Sequence, residues 1–174
     1  MILLTGRPRM GKSTAIRKII HQVGADRFAG FYTEEIRDLN DRIGFQCASV
    51  DGEKQEIASV NNTSSVRVGR YGVDVNGFES FAVRTLENAL RAKKIIVIDE
   101  IGFMQMCSVP FQQMVFRIFT EGNHLVLGTV PLDNHPQIDN IKKLDGVTIV
   151  ELHEHNRDQV VEDIVEKIVK GVYL

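Results

Sequence analysis

The sequence predicts an α/β protein of three layers, a mainly parallel sheet between helices, with an antiparallel β extension on the same sheet. Three observations carry this. Apolar runs alternate with amphipathic helical patterns along most of the chain, the signature of βα units. The runs Met1-Ile2-Leu3-Leu4 and Ile95-Ile96-Val97-Ile98 lack polar alternation, as expected of strands covered on both faces. Between the second and third of these strands lies a stretch of different rhythm, in which extended runs are joined by turn residues.

The elements follow in order. Met1 to Thr5 reads as a buried strand stopping at Gly6. From Lys12, the residues Ala15, Ile16, Ile19, Ile20 and Val23 fall at helical spacing, and Gly24 closes the pattern. Phe28–Arg37, Arg42–Val50 and Lys54–Val60 are extended, joined by Leu39-Asn40-Asp41 and Asp51-Gly52. Asp-Gly between extended runs is a strong hairpin signal, so these form an antiparallel meander. After the polar turn Asn61–Ser65 comes one shorter extended piece, Val66–Val75. The expectation is one domain over residues 1–174, with a β-meander insertion at about 34–75. Alternation then resumes. Phe78, Ala82, Leu86, Ala89 and Leu90 mark a helix ending near Lys93, and Ile95–Ile98 is a strand followed by Asp99-Glu100. Pro110 suits a helix start, with Val115, Ile118 and Phe119 at helical spacing. His124–Val130 is a strand, His135–Leu144 a short helix and Val147–Leu152 a strand. Asn156 caps a last helix with the stripe Val160, Val161, Ile164, Val165, Ile168 and Val169. The five helix-linked strands are expected in the order 5-1-4-3-2.

Composition sets bounds. At 174 residues, 43% hydrophobic and 25% charged, the chain can bury a real core without a disulfide or metal staple. Its apolar runs fall far short of the roughly 20 residues of a membrane span. The first residues lack the apolar region of a signal peptide. Cys47 and Cys107 form no CxxC pair, which suits a reducing cytosol and a cytoplasmic location. A net charge of −2 argues against a general nucleic-acid binder. Yet residues 1–25 carry Arg7, Arg9, Lys12, Arg17 and Lys18 and no acid, an end that could attract a small polyanion. Arg17 and Lys18 read as a solvated helix face.

Gly6-Arg7-Pro8-Arg9-Met10-Gly11-Lys12-Ser13 fits G-x-x-x-x-G-K-[ST], with an apolar strand before it and an amphipathic helix after it. Glycines let the backbone curl so that successive N–H groups converge on phosphate oxygens, and the helix N-terminus adds partial positive charge. Lys12 would reach the β- and γ-phosphates, Ser13 would ligate Mg²⁺, and Thr14 would close the cradle. The second element is Asp99-Glu100, placed where ligands bind, at the C-terminal end of a buried parallel strand. Asp99 would serve the Mg²⁺ shell, and Glu100 would orient and deprotonate a water. The adjacent second acid favours hydrolysis, because a small-molecule kinase uses its acceptor's hydroxyl and commonly lacks a glutamate here. In the order 5-1-4-3-2, Thr129 would emerge near the γ-phosphate and bond the attacking water; a β-branched residue ending a strand is an equal reading.

Further motifs extend the match. Gly30-Phe31-Tyr32-Thr33-Glu34-Glu35-Ile36-Arg37, Arg67-Val68-Gly69-Arg70-Tyr71-Gly72-Val73, Asp99-Glu100-Ile101-Gly102 and Asn156-Arg157 resemble the signatures of the cancer-related nucleoside-triphosphatase family, also found in thermophilic archaea and bacteria. The resemblance runs from Leu3 to about Ile168 in the family's order. It implies a RecA-like P-loop fold and slow, Mg²⁺-dependent hydrolysis of ATP, GTP and other nucleoside triphosphates to diphosphate and phosphate. It further implies that Ile101, Gly102 and Arg157 line the nucleotide and that Arg67 or Arg70 stabilises transition-state charge. The chain is expected to act as a monomer. Arg67 and Arg70 read equally well as surface charges on an edge strand. The chain departs from the family at Arg9, where a glycine is usual, and at Gln105, where a glutamate is usual. Arginine lacks glycine's backbone freedom, so the loop is either reshaped or strained, or Arg9 brings charge to the phosphates.

Other features read as structural. His153-Glu154-His155 lies in a turn without a third metal ligand at suitable spacing. Cys47 alternates with core residues, and Phe103, Met104 and Met106 suit packing better than base stacking. The alternatives to a hydrolase are a nucleoside or small-molecule kinase, a nucleotide-dependent switch or binding module, and a nucleic-acid-associated ATPase.

Overall fold

The computed structural model describes residues 1–122 and 124–171. Its strands are β1 (Ile2–Thr5), β2 (Phe28–Asp38), β3 (Asp41–Ser49), β4 (Lys54–Ser59), β5 (Arg67–Val68), β6 (Tyr71–Val73), β7 (Ile95–Asp99), β8 (Val126–Thr129) and β9 (Thr148–Glu151). Its α-helices are α1 (Lys12–Val23), α2 (Val75–Ala92), α3 (Val109–Glu121), α4 (Pro136–Lys142) and α5 (Arg157–Lys170). All strands join one sheet in the order β5-β6-β4-β3-β2-β7-β8-β1-β9. The segment β2-β7-β8-β1-β9 is parallel, which is the order 5-1-4-3-2 counted over the helix-linked strands.

Alternate side chains of each central strand serve two cores, as the two-residue period of a strand requires. Leu3, Ile96 and Ile98 face α2, α3 and α4, joining Phe78, Leu86, Phe111, Ile118 and Ile138. Ile2, Leu4, Ile95 and Val97 face α1 and α5, joining Ile16, Ile19, Val161 and Ile164. The strand β2 does double duty. Its first residues pair in parallel with β7, from Phe28 opposite Ile95 to Tyr32 opposite Asp99, and from Phe31 onward its other edge pairs antiparallel with β3. The meander therefore continues the sheet outward from the acidic end of β7. Among the described residues no helix is long and apolar enough to cross a membrane.

Three local expectations need correction. The piece Val66–Val75 is not one strand. Gly69 takes φ +57°, a left-handed conformation that folds the chain back, so β5 and β6 form a small hairpin. The next helix starts earlier than Phe78, at Val75, because the Asp74 side chain accepts the Gly77 N–H as its N-cap. Asn156 holds the N-cap position of α5, its carbonyl accepting from Val160 N at 2.9 Å, but its side chain makes no cap bond. Its side chain is engaged with the preceding turn, accepting from His153 N and donating to Glu151 O.

Candidate active site

The loop between β1 and α1 lies at the C-terminal edge of the parallel sheet. Gly11 is the N-cap of α1 with φ +87°, and Arg9 also takes a left-handed conformation, φ +66°. The loop is thus strained at Arg9 rather than reshaped, at a cost of about 1–2 kcal/mol for an L side chain. Arg7, Pro8 and Arg9 are exposed and Met10 is half-buried. Lys12 Nζ donates to the carbonyls of Gly6 (2.9 Å) and Arg7 (3.3 Å), so its ammonium sits inside the curl of the loop. The first amides of α1 have no partner within the helix.

The β7 strand ends beside this loop. Asp99 is 2% exposed; its Oδ1 accepts from Thr129 Oγ1 at 2.5 Å, and its Oδ2 is buried without a hydrogen-bond partner. Burial pushes the Asp99 carboxyl up, and the hydroxyls of Thr129 and Ser13 with the charges of Arg17 and Lys12 act against it. Glu100 is half-buried, and its carboxyl is pushed up to about 7, first by burial and then by the Asp99 charge, with Lys12 opposing. Gly102 makes room for it, since a methyl group there would stand 2.5 Å from Glu100 Oε1. Ser13 Oγ and the orphaned Asp99 Oδ2 are hard oxygen donors facing one space, which fits a divalent cation such as Mg²⁺. Among the described residues no group of three or more His, Cys, Asp or Glu could hold a metal ion, and residues 153–155 are exposed.

Several expected site residues stand elsewhere or serve otherwise. Thr129 is fully buried and its hydroxyl proton is engaged by Asp99, so it positions that carboxylate and does not offer its donor to a water. Ile101 is a core residue, with its N–H tied to Thr129 O at 2.9 Å. Arg67 and Arg70 are not brought to the loop. They sit in the β5–β6 hairpin at the far edge of the sheet, where Arg67 donates to Asn62 O and Arg70 O, and Arg70 to Arg42 O and Tyr71 Oη. Arg67 is thus spent on carbonyls of its own hairpin and the turn before it, and Arg70 on a carbonyl of β3 and the Tyr71 hydroxyl. Arg157 does reach the loop, with Cδ and Nη1 each 3.5 Å from where a Cβ on Gly11 would lie. Thr14 is exposed on the first turn of α1. Met106 is core, Met104 is half-buried, and Phe103 packs edge-on against His135 at 5.6 Å between centroids.

Two contributions escape a reading of the sequence. Thr33 Oγ1 donates to the backbone carbonyl of Asp99 (2.9 Å) and accepts from Gln105 Nε2 (3.2 Å), so Gln105 braces β7 through Thr33. Arg17 is no plain solvated charge. Its guanidinium lies 4.5 Å from the Tyr32 ring centroid and pairs with Glu34 at 2.9 Å, linking α1 to β2. The position of Arg17 one helical turn after Ser13 was the available signal.

Comparison with known proteins agrees with this architecture. A protein-family profile described as NTPase matches residues 1–165. The chain is 41% identical over 163 residues to nucleoside-triphosphatase THEP1 of Thermotoga petrophila, covering 94% of this chain and 89% of that protein. It is 32% identical over 178 residues to the human cancer-related nucleoside-triphosphatase, covering 94% of each. The crystal structure of THEP1 from Aquifex aeolicus superposes with a TM-score of 0.87 at 39% identity, over 94% of this chain and 96% of that one. The solution structure of the human protein gives 0.78 at 31% identity, over 97% of each. With its P-loop NTPase fold, the chain belongs to the nucleoside-triphosphatase family of THEP1 and the human cancer-related enzyme.

Proposed function

We propose that the protein is a Mg²⁺-dependent nucleoside triphosphatase, hydrolysing ATP, GTP and other nucleoside triphosphates to diphosphate and phosphate by in-line attack of water. The observation that carries the reading is the pair Asp99-Glu100 beside Lys12 and Ser13, with a carboxyl poised near neutrality next to a buried acid that has a free oxygen. Ser13 and Asp99 would hold the cation, which when bound would neutralise negative charge on the triphosphate. Lys12 exchanges its loop carbonyls for those oxygens and stabilises the charge that develops on them. The amides of the loop and of the α1 N-terminus orient the phosphate chain. Glu100 takes the proton of the attacking water, and a carboxyl titrating near 7 is well matched to that at neutral pH. Thr129 and Thr33 hold Asp99 from its side chain and its backbone.

The site comes from one chain, which suits a monomer, and the free thiols Cys47 and Cys107 suit a reducing compartment such as the cytoplasm. The whole reads as one nucleotide-binding domain with residues 34–75 as its β insertion. Incubating the protein with Mg²⁺ and each triphosphate, alone and with nucleoside or metabolite acceptors, tests the proposal. Diphosphate and free phosphate without an acceptor are expected. Phosphate appearing only on an added acceptor would make the protein a kinase.

A further inference from the structure

Charge gathers on the oxygens of a phosphoryl group in transfer, and an arginine beside them stabilises it. The arginines of this chain differ in how free they are to do so. Arg67 and Arg70 are held at the far edge of the sheet. Arg17 is committed to Glu34 and to the Tyr32 ring. Arg157 packs against Gly11, beside the start of α1. Arg7 and Arg9 are exposed on the phosphate loop itself, and neither makes an ion pair or a side-chain hydrogen bond among the described residues.

Backbone conformation separates these two. Arg7-Pro8-Arg9-Met10 is a β-turn, closed by Met10 N–H donating to Arg7 O at 3.2 Å. Proline suits its second position, and the third takes φ +66°, the type II pattern, where glycine fits without strain. Arginine there is disfavoured by its Cβ, whereas Arg7 at the first position carries no such penalty. A strained residue other than glycine beside a reactive centre points to a use of its side chain.

The turn is also well placed. Arg7 O accepts from Lys12 Nζ at 3.3 Å as well as from Met10 N, so the turn closes over the Lys12 ammonium. A phosphate oxygen that displaces this carbonyl from Lys12 lies directly against the turn, within reach of an arginine side chain. We infer that Arg9 is a catalytic residue: its guanidinium contacts the terminal phosphate and stabilises the charge that develops there during transfer to water. The inference rests on the phosphate-loop reading above, and it concerns a position where a glycine is usual. The guanidinium adds what Lys12 lacks, a planar fork of N–H donors that engages two phosphate oxygens at once. Loop strain at Arg9 is then the counterpart of a contact made only with substrate.

The test compares Arg9→Gly and Arg9→Ala with wild type. Alanine keeps a Cβ in the left-handed turn and glycine removes it, so the pair separates side chain from backbone. In a single turnover with ATP and Mg²⁺, both variants should release phosphate about 10²–10³ more slowly than wild type. A non-hydrolysable ATP analogue should bind both about tenfold more weakly. ADP lacks the terminal phosphate and should bind both as it binds wild type, which also shows the rest of the loop intact. A wild-type rate in either variant would overturn the inference; if only Arg9→Gly keeps that rate, backbone strain and not the guanidinium is what matters. ADP weakened as much as the analogue would overturn it too, because Arg9 would then serve the inner phosphates. Wild-type protein that binds the analogue and releases no phosphate from ATP would instead refute the hydrolase reading, and the inference with it.

Discussion

Glu100→Gln should make the protein more stable, and increasingly so as pH rises from 4.5 to 7. The Glu100 carboxyl is held at about 7 in the folded chain against an ordinary value of 4.5. The sign follows from where the proton goes. Below 4.5 the carboxyl is neutral in both states and costs nothing. As pH rises from 4.5 to 7 the unfolded chain releases its proton while the folded chain keeps it, so stability falls by about 1.36 kcal/mol per unit. Above 7 the loss is complete, at about 3 kcal/mol. Glutamine fills the same volume and does not titrate, so the variant escapes this loss. Urea denaturation without nucleotide or divalent cation should show a gain below about 1 kcal/mol at pH 5 and about 3 kcal/mol at pH 8. An equal gain at both pH values, or none at pH 8, would refute the argument that burial and the Asp99 charge poise this group.

Three further outcomes are expected. Arg9→Gly removes a left-handed arginine, and after glycine's extra chain entropy the net gain is about 0.5–1 kcal/mol, raising Tm by about 2 °C; a lower Tm would show that Arg9 supports the loop. Gly102→Ala places a methyl group 2.5 Å from Glu100 Oε1 and so displaces that carboxylate, which should cut kcat about 10²-fold with nucleotide affinity kept; steady-state kinetics beside equilibrium binding checks it. Thr129→Val keeps the shape and removes the donor to buried Asp99, which should cost about 2 kcal/mol and lower Tm by several degrees; an unchanged melting curve would mean that the hydroxyl holds nothing.

What the sequence shows clearly is whatever the local chain determines. The run Ile95–Ile98 and the stripe of α5 announce their elements because burial imposes period on neighbours in sequence. The phosphate loop is equally plain, since its geometry is made by consecutive residues. The pairing of Asp99 with Thr129 is another matter, because thirty residues separate them and only the placing of β8 between β7 and β1 brings them together. The brace from Thr33 is hidden for the same reason. Arg67 and Arg70 show the converse. Their motif marks the family, but the hairpin that Gly69 creates holds Arg67 on its own carbonyls and Arg70 on Arg42 O of β3, a result that no charge pattern reveals. Lys18 reads as a surface charge until α5 packs against α1 and supplies Asp158.

Glu100→Gln in a single-turnover experiment tests the central claim most directly. The glutamine keeps an oxygen and the side chain's size, and Asp99, Ser13 and Lys12 are untouched, so the triphosphate should bind with near wild-type affinity. The chemical step loses its proton acceptor and should slow by roughly 10²–10⁴. Measured together, affinity and phosphate release should show bound, intact triphosphate. Phosphate release at the wild-type rate from the folded variant would contradict the assignment of Glu100 as the base that activates water.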